Sequence, residues 1–295
     1  MNRFLPHITS FIFAFLLIST QVRAQTDTSD FFKTKEDTLM GIAMIVSNDT
    51  LEQKELRYVA NKDFIKTLVS TLKQKNSFDY PFDRLYNVSI AYPQDSTFRV
   101  FSWQVKIDTG AYHYYGAIQM NQEDLKLIPL IDRSDAISNF DNDILNPENW
   151  YGAIYYSVMK SPKSDSYLLF GYETKDVYIR RKLIDVLTFS RKGVEFGKPI
   201  FEHRKPTGET YYNSRMKVDY SFDAPVSLNY NMLYDMIIFE HLIQIPGRYP
   251  GQKVDLVPDG SYQGYKWLKG KWVFVDKIFH QVQDEPPSPA PVFDN

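Results

Sequence analysis

Two carboxylates stand where hydrolytic chemistry would want them. In the run KLIDVLTF, two-residue alternation sets Asp185 on the face of Leu183, Leu187 and Phe189, and in YDMIIFEHL it sets Asp235 beside Ile237 and Phe239. An acid on an apolar face loses its hydration, and its pKa climbs toward the range a general acid needs unless a cation pairs with it. Arg180, Arg181 and Lys182 lie directly upstream of Asp185 and offer that pairing. A structural ion pair is therefore the leading expectation, and a hydrolase working through paired carboxylates is the alternative.

The second group able to do something is aromatic. The run YKWLKGKWVFV places Tyr265, Trp267, Trp272 and Phe274 on two strands around a Lys-Gly turn, so that the rings form a stripe. Such a stripe is either a stacking platform for a sugar ring or the packing face of a sheet, and the second use is the commoner. Tyr265, Trp267 and Trp272 are the ligand-binding candidates, with core as the expected role. Histidines add little, because His113, His203, His241 and His280 make no HxH or HExxH spacing. No phosphate-binding glycine loop, nucleophile elbow or EF-hand spacing occurs either. No cofactor and no metal is expected.

The elements that must position these residues follow from periodicity. Asn61 precedes Phe64, Ile65, Leu68, Val69 and Leu72, which predicts an amphipathic helix over 61–75 with Asn61 as its N-cap. Phe101, Trp103, Val105 and Ile107 then alternate with polar residues, turn at Asp108-Thr109-Gly110 and return from Ala111 to Met120, which predicts a hairpin with one buried face. Residues 122–138 suggest a short helix broken by Pro129. From Trp150 onward short alternating runs recur at 151–160, 167–172, 183–189, 194–201, 211–220, 226–230, 234–242, 262–268 and 271–279. The fold class expected is mainly β, with antiparallel sheets in a sandwich or barrel, one N-terminal helix and a few short helices.

The ends and the composition set the setting. Residues 1–24 carry Arg3, an apolar stretch from Phe11 to Ile18, and Val22-Arg23-Ala24 before Gln25, the pattern of a cleavable signal peptide and too short to span a bilayer. The mature chain is expected to be periplasmic or extracellular and not inserted in a membrane. Residues 25–38 read as a flexible leader, 39–149 as a helix-plus-hairpin region, 150–280 as a β-rich region that can share one domain with it, and 281–295 as a proline-rich tail. A seam falls in the polar stretch 138–149. There is no cysteine, hence no disulfide, and loss of Arg3 and Arg23 with the signal takes the formal charge from −2 to −4. That mild acidity argues against nucleic acid and an anionic membrane as partners, since both demand a basic surface. The leading expectation is a non-catalytic binding or scaffolding module whose partner is a glycan or an envelope protein.

The blocks YLLFGY, RRKLIDVLTF, FGKPIF, MIIFEHL and DGSYQGYKWLKGKWVFVDKIF, in that order across residues 98–280, resemble a family of uncharacterised secreted proteins from Bacteroidota. The resemblance implies export from a Gram-negative cell and a single β-rich module, and it brings no catalytic residues. It also implies that Asp37-Thr38-Leu39 and Asp49-Thr50-Leu51 are O-glycan acceptors.

Overall fold

The computed structural model describes residues 29–51 and 53–278, and the expected signal peptide, the proline-rich tail and His280 lie outside them. The chain is mainly β, and it forms two compact units. One takes the described residues up to Asp108 with Tyr112–Asp132 and Gly152–Ile154; the other takes Thr109–Ala111, Arg133–Tyr151 and Tyr155 onward. No helix among the described residues is long and apolar enough to cross a membrane.

The first unit packs two helices on a four-stranded antiparallel sheet. Helix α1 spans 29–46 and buries Phe32, Glu36, Leu39, Ala43 and Val46, a stripe stepping by four and three residues. Residues 29–38 are thus the opening turns of a helix and not a leader. The polar composition concealed this because Glu36 occupies a core position, where it is matched by Arg84 Nη2 at 2.9 Å and receives the Tyr80 hydroxyl at 2.7 Å and the Arg84 backbone N–H at 2.8 Å. Burial and the Glu36 carboxylate push the Tyr80 hydroxyl up to about 12.

Helix α2 (Lys54–Leu72) begins seven residues before the expected cap. Asn61 is internal and buried, and its side-chain oxygen accepts from Trp103 Nε1 at 2.7 Å. The extra turns hide in the sequence because their inward residue is Arg57, whose guanidinium donates to the carbonyls of Lys106 and Leu51. Strands β1 (Ser89–Ala91), β2 (Phe98–Asp108), β3 (Ala111–Met120) and β4 (Leu127–Ile131) pair in sequence order. The β2–β3 hairpin is as expected, except that β2 is buried on both faces from Phe98 to Trp103. Residues 127–131 are strand and not helix; Pro129 is tolerated there because β4 is an edge strand. The two threonines of the Asp-Thr-Leu tripeptides are exposed, Thr38 bonded to the Thr34 carbonyl within α1 and Thr50 bonded to Asn48 Oδ1 in the turn after it.

The second unit is a sandwich. Its five-stranded sheet is ordered β11 (Met216–Ser221), β7 (Ile179–Ser190), β6 (Ser166–Thr174), β5 (Ile154–Lys160), with β8 (Gly193–Phe196) also paired to β7. Its six-stranded sheet is ordered β10 (Thr210–Asn213), β9 (Phe201–Arg204), β15 (Lys271–Val275), β14 (Val254–Leu268), β13 (Met236–Pro246), β12 (Leu228–Asn231). In this six-stranded sheet the pairings are antiparallel except β9 with β15. Leu168, Phe170, Ile184 and Val186 of one sheet meet Phe201, Ile237, Tyr265 and Trp272 of the other in one core. The expected run 194–201 is divided between β8 and β9, and 211–220 between β10 and β11. The Lys-Gly turn forms as read: Lys269 and Gly270 both have positive φ (49° and 84°), the geometry a two-residue hairpin favours.

Candidate functional site

Asp185 lies on β7 with Ile184 and Val186 turned to the sandwich core and its own carboxylate on the opposite face. It is fully buried there. Arg215 Nε approaches Asp185 Oδ1 at 3.0 Å, the Val186 N–H donates to the same oxygen at 2.9 Å, and the Tyr155 hydroxyl donates to Oδ2 at 3.3 Å. Trp150 Nε1 in turn donates to Tyr155 Oη at 2.9 Å. Arg215 also donates to the carbonyls of Phe140, Asp143 and Phe196, which ties the segment before β5 to the sheet. Burial raises the Asp185 pKa, opposed by the Arg215 charge.

The cation is therefore Arg215 and not one of the three upstream basic residues. Arg181 is on the same face but four residues along the strand, about 13 Å away. It serves a second rung instead: Glu173 on β6, Arg181 on β7 and Asp219 on β11 lie side by side. Arg181 grips Asp219 through Nε (2.5 Å) and Nη2 (2.8 Å), stands 3.3 Å from Glu173, and donates to Tyr151 Oη at 2.8 Å. The Tyr151 hydroxyl donates to Glu173 Oε1. Burial, partly offset by these neighbours, pushes the Glu173 carboxyl up to about 7. The Phe140 ring covers both rungs, 5.0 Å from the Arg181 guanidinium and 5.8 Å from that of Arg215.

Asp235 is not part of this face. It precedes β13, exposed in the turn from β12, with φ +52° and its carboxylate accepting from the Tyr230 hydroxyl. Alternation misplaced it because the strand begins one residue later, and Asp is among the few residues that settle in a left-handed turn. The two acids of the hydrolase alternative thus stand apart, Asp185 on a strand of the five-stranded sheet and Asp235 in a turn of the six-stranded one.

The aromatic run is mostly wall. Tyr265 is 3% exposed and Trp272 0%, both under the opposing sheet; Trp267 and Phe274 are half-buried at its margin. Trp267 meets Trp272 edge-on at 5.2 Å. His203 stacks between Tyr211 (5.0 Å) and Phe274 (5.5 Å) with Nε2 3.1 Å from Tyr265 Oη, and burial lowers its pKa. Among the described residues no cluster of His, Asp and Glu is arranged to hold a metal ion.

A concave site does exist in the first unit. A groove of about 310 Å³ opens between the end of α2, the 3-10 turn Ser77–Asp79 and the loop after β3, bounded by Lys75, Asn76, Asp79, Asn121 and Glu123. Its floor is Ser77 and Gln119, and beneath them lies the fully buried Arg99. The guanidinium donates to Gln119 Oε1 (2.8 Å), the Ser77 carbonyl (2.7 Å), the Tyr80 carbonyl (2.7 Å) and Tyr92 Oη (2.6 Å). Phe78, Phe82, Tyr92 and Phe101 present ring faces to it at 4.8–5.7 Å. Burial lowers its pKa, and carbonyl oxygens and rings take the place of a carboxylate. Gln119 Nε2 then donates to Ser77 Oγ at 3.0 Å, and Ser77 Oγ to the Leu72 carbonyl at 2.7 Å. The floor is held from below by one continuous chain of donors and acceptors. At the rim Asn76 takes the left-handed conformation (φ 63°), and Lys75 pairs with Glu123 at 3.0 Å in full solvent exposure. Sequence reasoning missed this site; its one signal was an arginine inside the otherwise apolar run Phe98-Arg99-Val100-Phe101.

Comparison with protein-family models, curated proteins and solved structures finds no match to this chain.

Proposed function

We propose that this chain is an exported, non-catalytic binding module of a bacterial envelope, as its resemblance to secreted Bacteroidota proteins implies, and that the Arg99-floored groove takes a small polyhydroxylated ligand of saccharide type. The observation that carries this reading is the groove's construction. Amides, carboxylates and an ammonium group line its mouth with Phe78, and a buried arginine fixes the floor before any ligand arrives. A volume near 310 Å³ falls at the small end of ligand pockets, suited to one or two sugar rings. Alternating donors and acceptors are what a hydroxyl-rich ligand requires, and a prepared floor avoids the ordering cost that weakens binding.

Asp79→Ala and Asn121→Ala, both at exposed rim positions, test it. Titration of the protein with a panel of mono- and disaccharides, followed by NMR, is expected to shift groove resonances in the parent and to lose at least tenfold in affinity in either variant, with unchanged melting temperature. A panel in which no sugar perturbs Ser77, Gln119 or Asn121 refutes the reading. A hydrolase reading is favoured by one observation, the near-neutral Glu173 carboxyl on the same rung as Asp219, with Arg181 between the two acids. It requires Glu173→Gln to abolish turnover of a glycan substrate, whereas the binding module shows no turnover in parent or variant.

A further inference from the structure

At one end of the six-stranded sheet two turns stand side by side. Asn231 pairs with Met236 and Met236 with Lys266, so the 232–235 turn projects beyond the same rung past which β14 runs to Leu268 and its own turn with Lys271. Their tips carry large apolar side chains in the open: Leu233 is 84% exposed and Met232 80%, with Tyr234 and Leu268 exposed beside them. Tyr86 is as exposed but belongs to the first unit, and single exposed apolar residues need no explanation. A cluster of four on two adjacent tips does.

The prongs are held in place. Asn231 Oδ1 accepts from the N–H groups of Leu233 (2.9 Å) and Tyr234 (3.3 Å), and the Tyr230 hydroxyl clamps Asp235 across the turn. Lys269, exposed, shares the second tip with Gly270; behind the tips stand Lys266, which is exposed, and Lys271, which donates to the Pro199 carbonyl at 2.7 Å, and Asp235 is the one acid in the two turns. The apolar tips thus carry net positive charge, from Lys269 level with them and from Lys266 about two to three residues, or roughly 5–10 Å, behind.

We propose that this apex docks the protein on an anionic lipid surface, with Met232 and Leu233 entering the headgroup boundary and Lys266 and Lys269 meeting lipid phosphates. The inference goes beyond the groove and is independent of it. Charge complementarity at this apex, set against the chain's mild overall acidity, selects the occupant: cations beside and behind convex apolar points match a surface that is anionic outside and apolar within, at the depth an interfacial element reaches. Convex prongs also need no shaped pocket in a fluid interface.

The test is co-sedimentation of the purified protein with phosphatidylcholine vesicles, with and without phosphatidylglycerol, at low and physiological salt. Binding to the anionic vesicles is expected, weakened by salt, with Leu233→Asp and Met232→Ser each lowering the partition coefficient by about tenfold. Lys266→Glu with Lys269→Glu is expected to erase the preference for phosphatidylglycerol. All four positions are exposed, so the variants are expected to melt as the parent does. Absence of binding to anionic vesicles at low salt overturns the proposal, as does binding that Leu233→Asp leaves intact. Capture of a protein partner through these tips without vesicle binding likewise overturns it, in favour of a protein-docking surface.

Discussion

Replacing Glu173 by glutamine tests the physical account of the buried charged face more directly than any deletion. The parent carboxyl is 4% exposed, ordinarily titrates at 4.5, and is pushed up to about 7 because burial outweighs the help of Tyr151, Lys175 and Arg181. Between pH 4.5 and 7 the folded chain holds a proton that the unfolded chain releases, so stability falls as pH rises through that window and is level beyond it. A displacement of that size disfavours the folded state by about 3 kcal/mol above pH 7. Glutamine keeps an acceptor for the Tyr151 hydroxyl and never ionises, and Arg181 retains its two contacts to Asp219. Other titrating groups, His203 among them, are common to both proteins and cancel in the difference. Urea unfolding of parent and Glu173→Gln at intervals from pH 4.5 to 8 is expected to show the parent losing up to about 3 kcal/mol relative to the variant. A pH-independent difference refutes the reasoning. So does a parent that gains on the variant as pH rises, since that is the signature of an ion pair with Arg181 outweighing burial.

The neighbouring pair gives a thermodynamic cycle: Asp185→Asn and Arg215→Met are each expected to cost about 3–5 kcal/mol by stranding a buried charge. The double variant is expected to cost well below their sum in denaturant titrations, and simple additivity speaks against a coupled pair. Trp272→Ala is expected to cost about 3–5 kcal/mol, since the ring is fully enclosed in the sandwich core. Trp267→Ala, at the margin, is expected to cost about 1–2 kcal/mol and to leave saccharide titrations unchanged. Equal losses of stability at the two positions, or a loss of sugar binding at Trp267, count against the assignment of these rings to the core.

What could be read from the sequence was what depends on neighbours along the chain. The Lys269-Gly270 turn, the hairpin from Phe101 through Met120 and the inward stripe of Tyr265 and Trp272 follow from two-residue alternation and turn chemistry. What escaped were the buried charges. Glu36, Arg57, Arg99 and Arg181 look like surface residues until a distant partner is supplied. Arg99 meets Ser77 and Gln119, each about twenty positions away, and Asp185 meets Arg215 thirty positions on. A pattern reader scores such residues as solvated, and so it shortened α2, erased α1 and overlooked the groove. The face of Asp185 was legible; the identity of its cation was not, because strand geometry carries Arg181 too far along β7 to reach it.

The position of β15 has a consequence for how the chain can become a folded object. This strand is the last among the described residues, yet it lies between β9 and β14, joined to β9 in parallel through Trp272 opposite Phe201. Until it arrives, the β9–β10 ribbon has nothing to join and the sandwich lacks its largest ring. The second unit therefore stays unlatched while its earlier strands form, and it locks only when this last described strand slides into the gap between them.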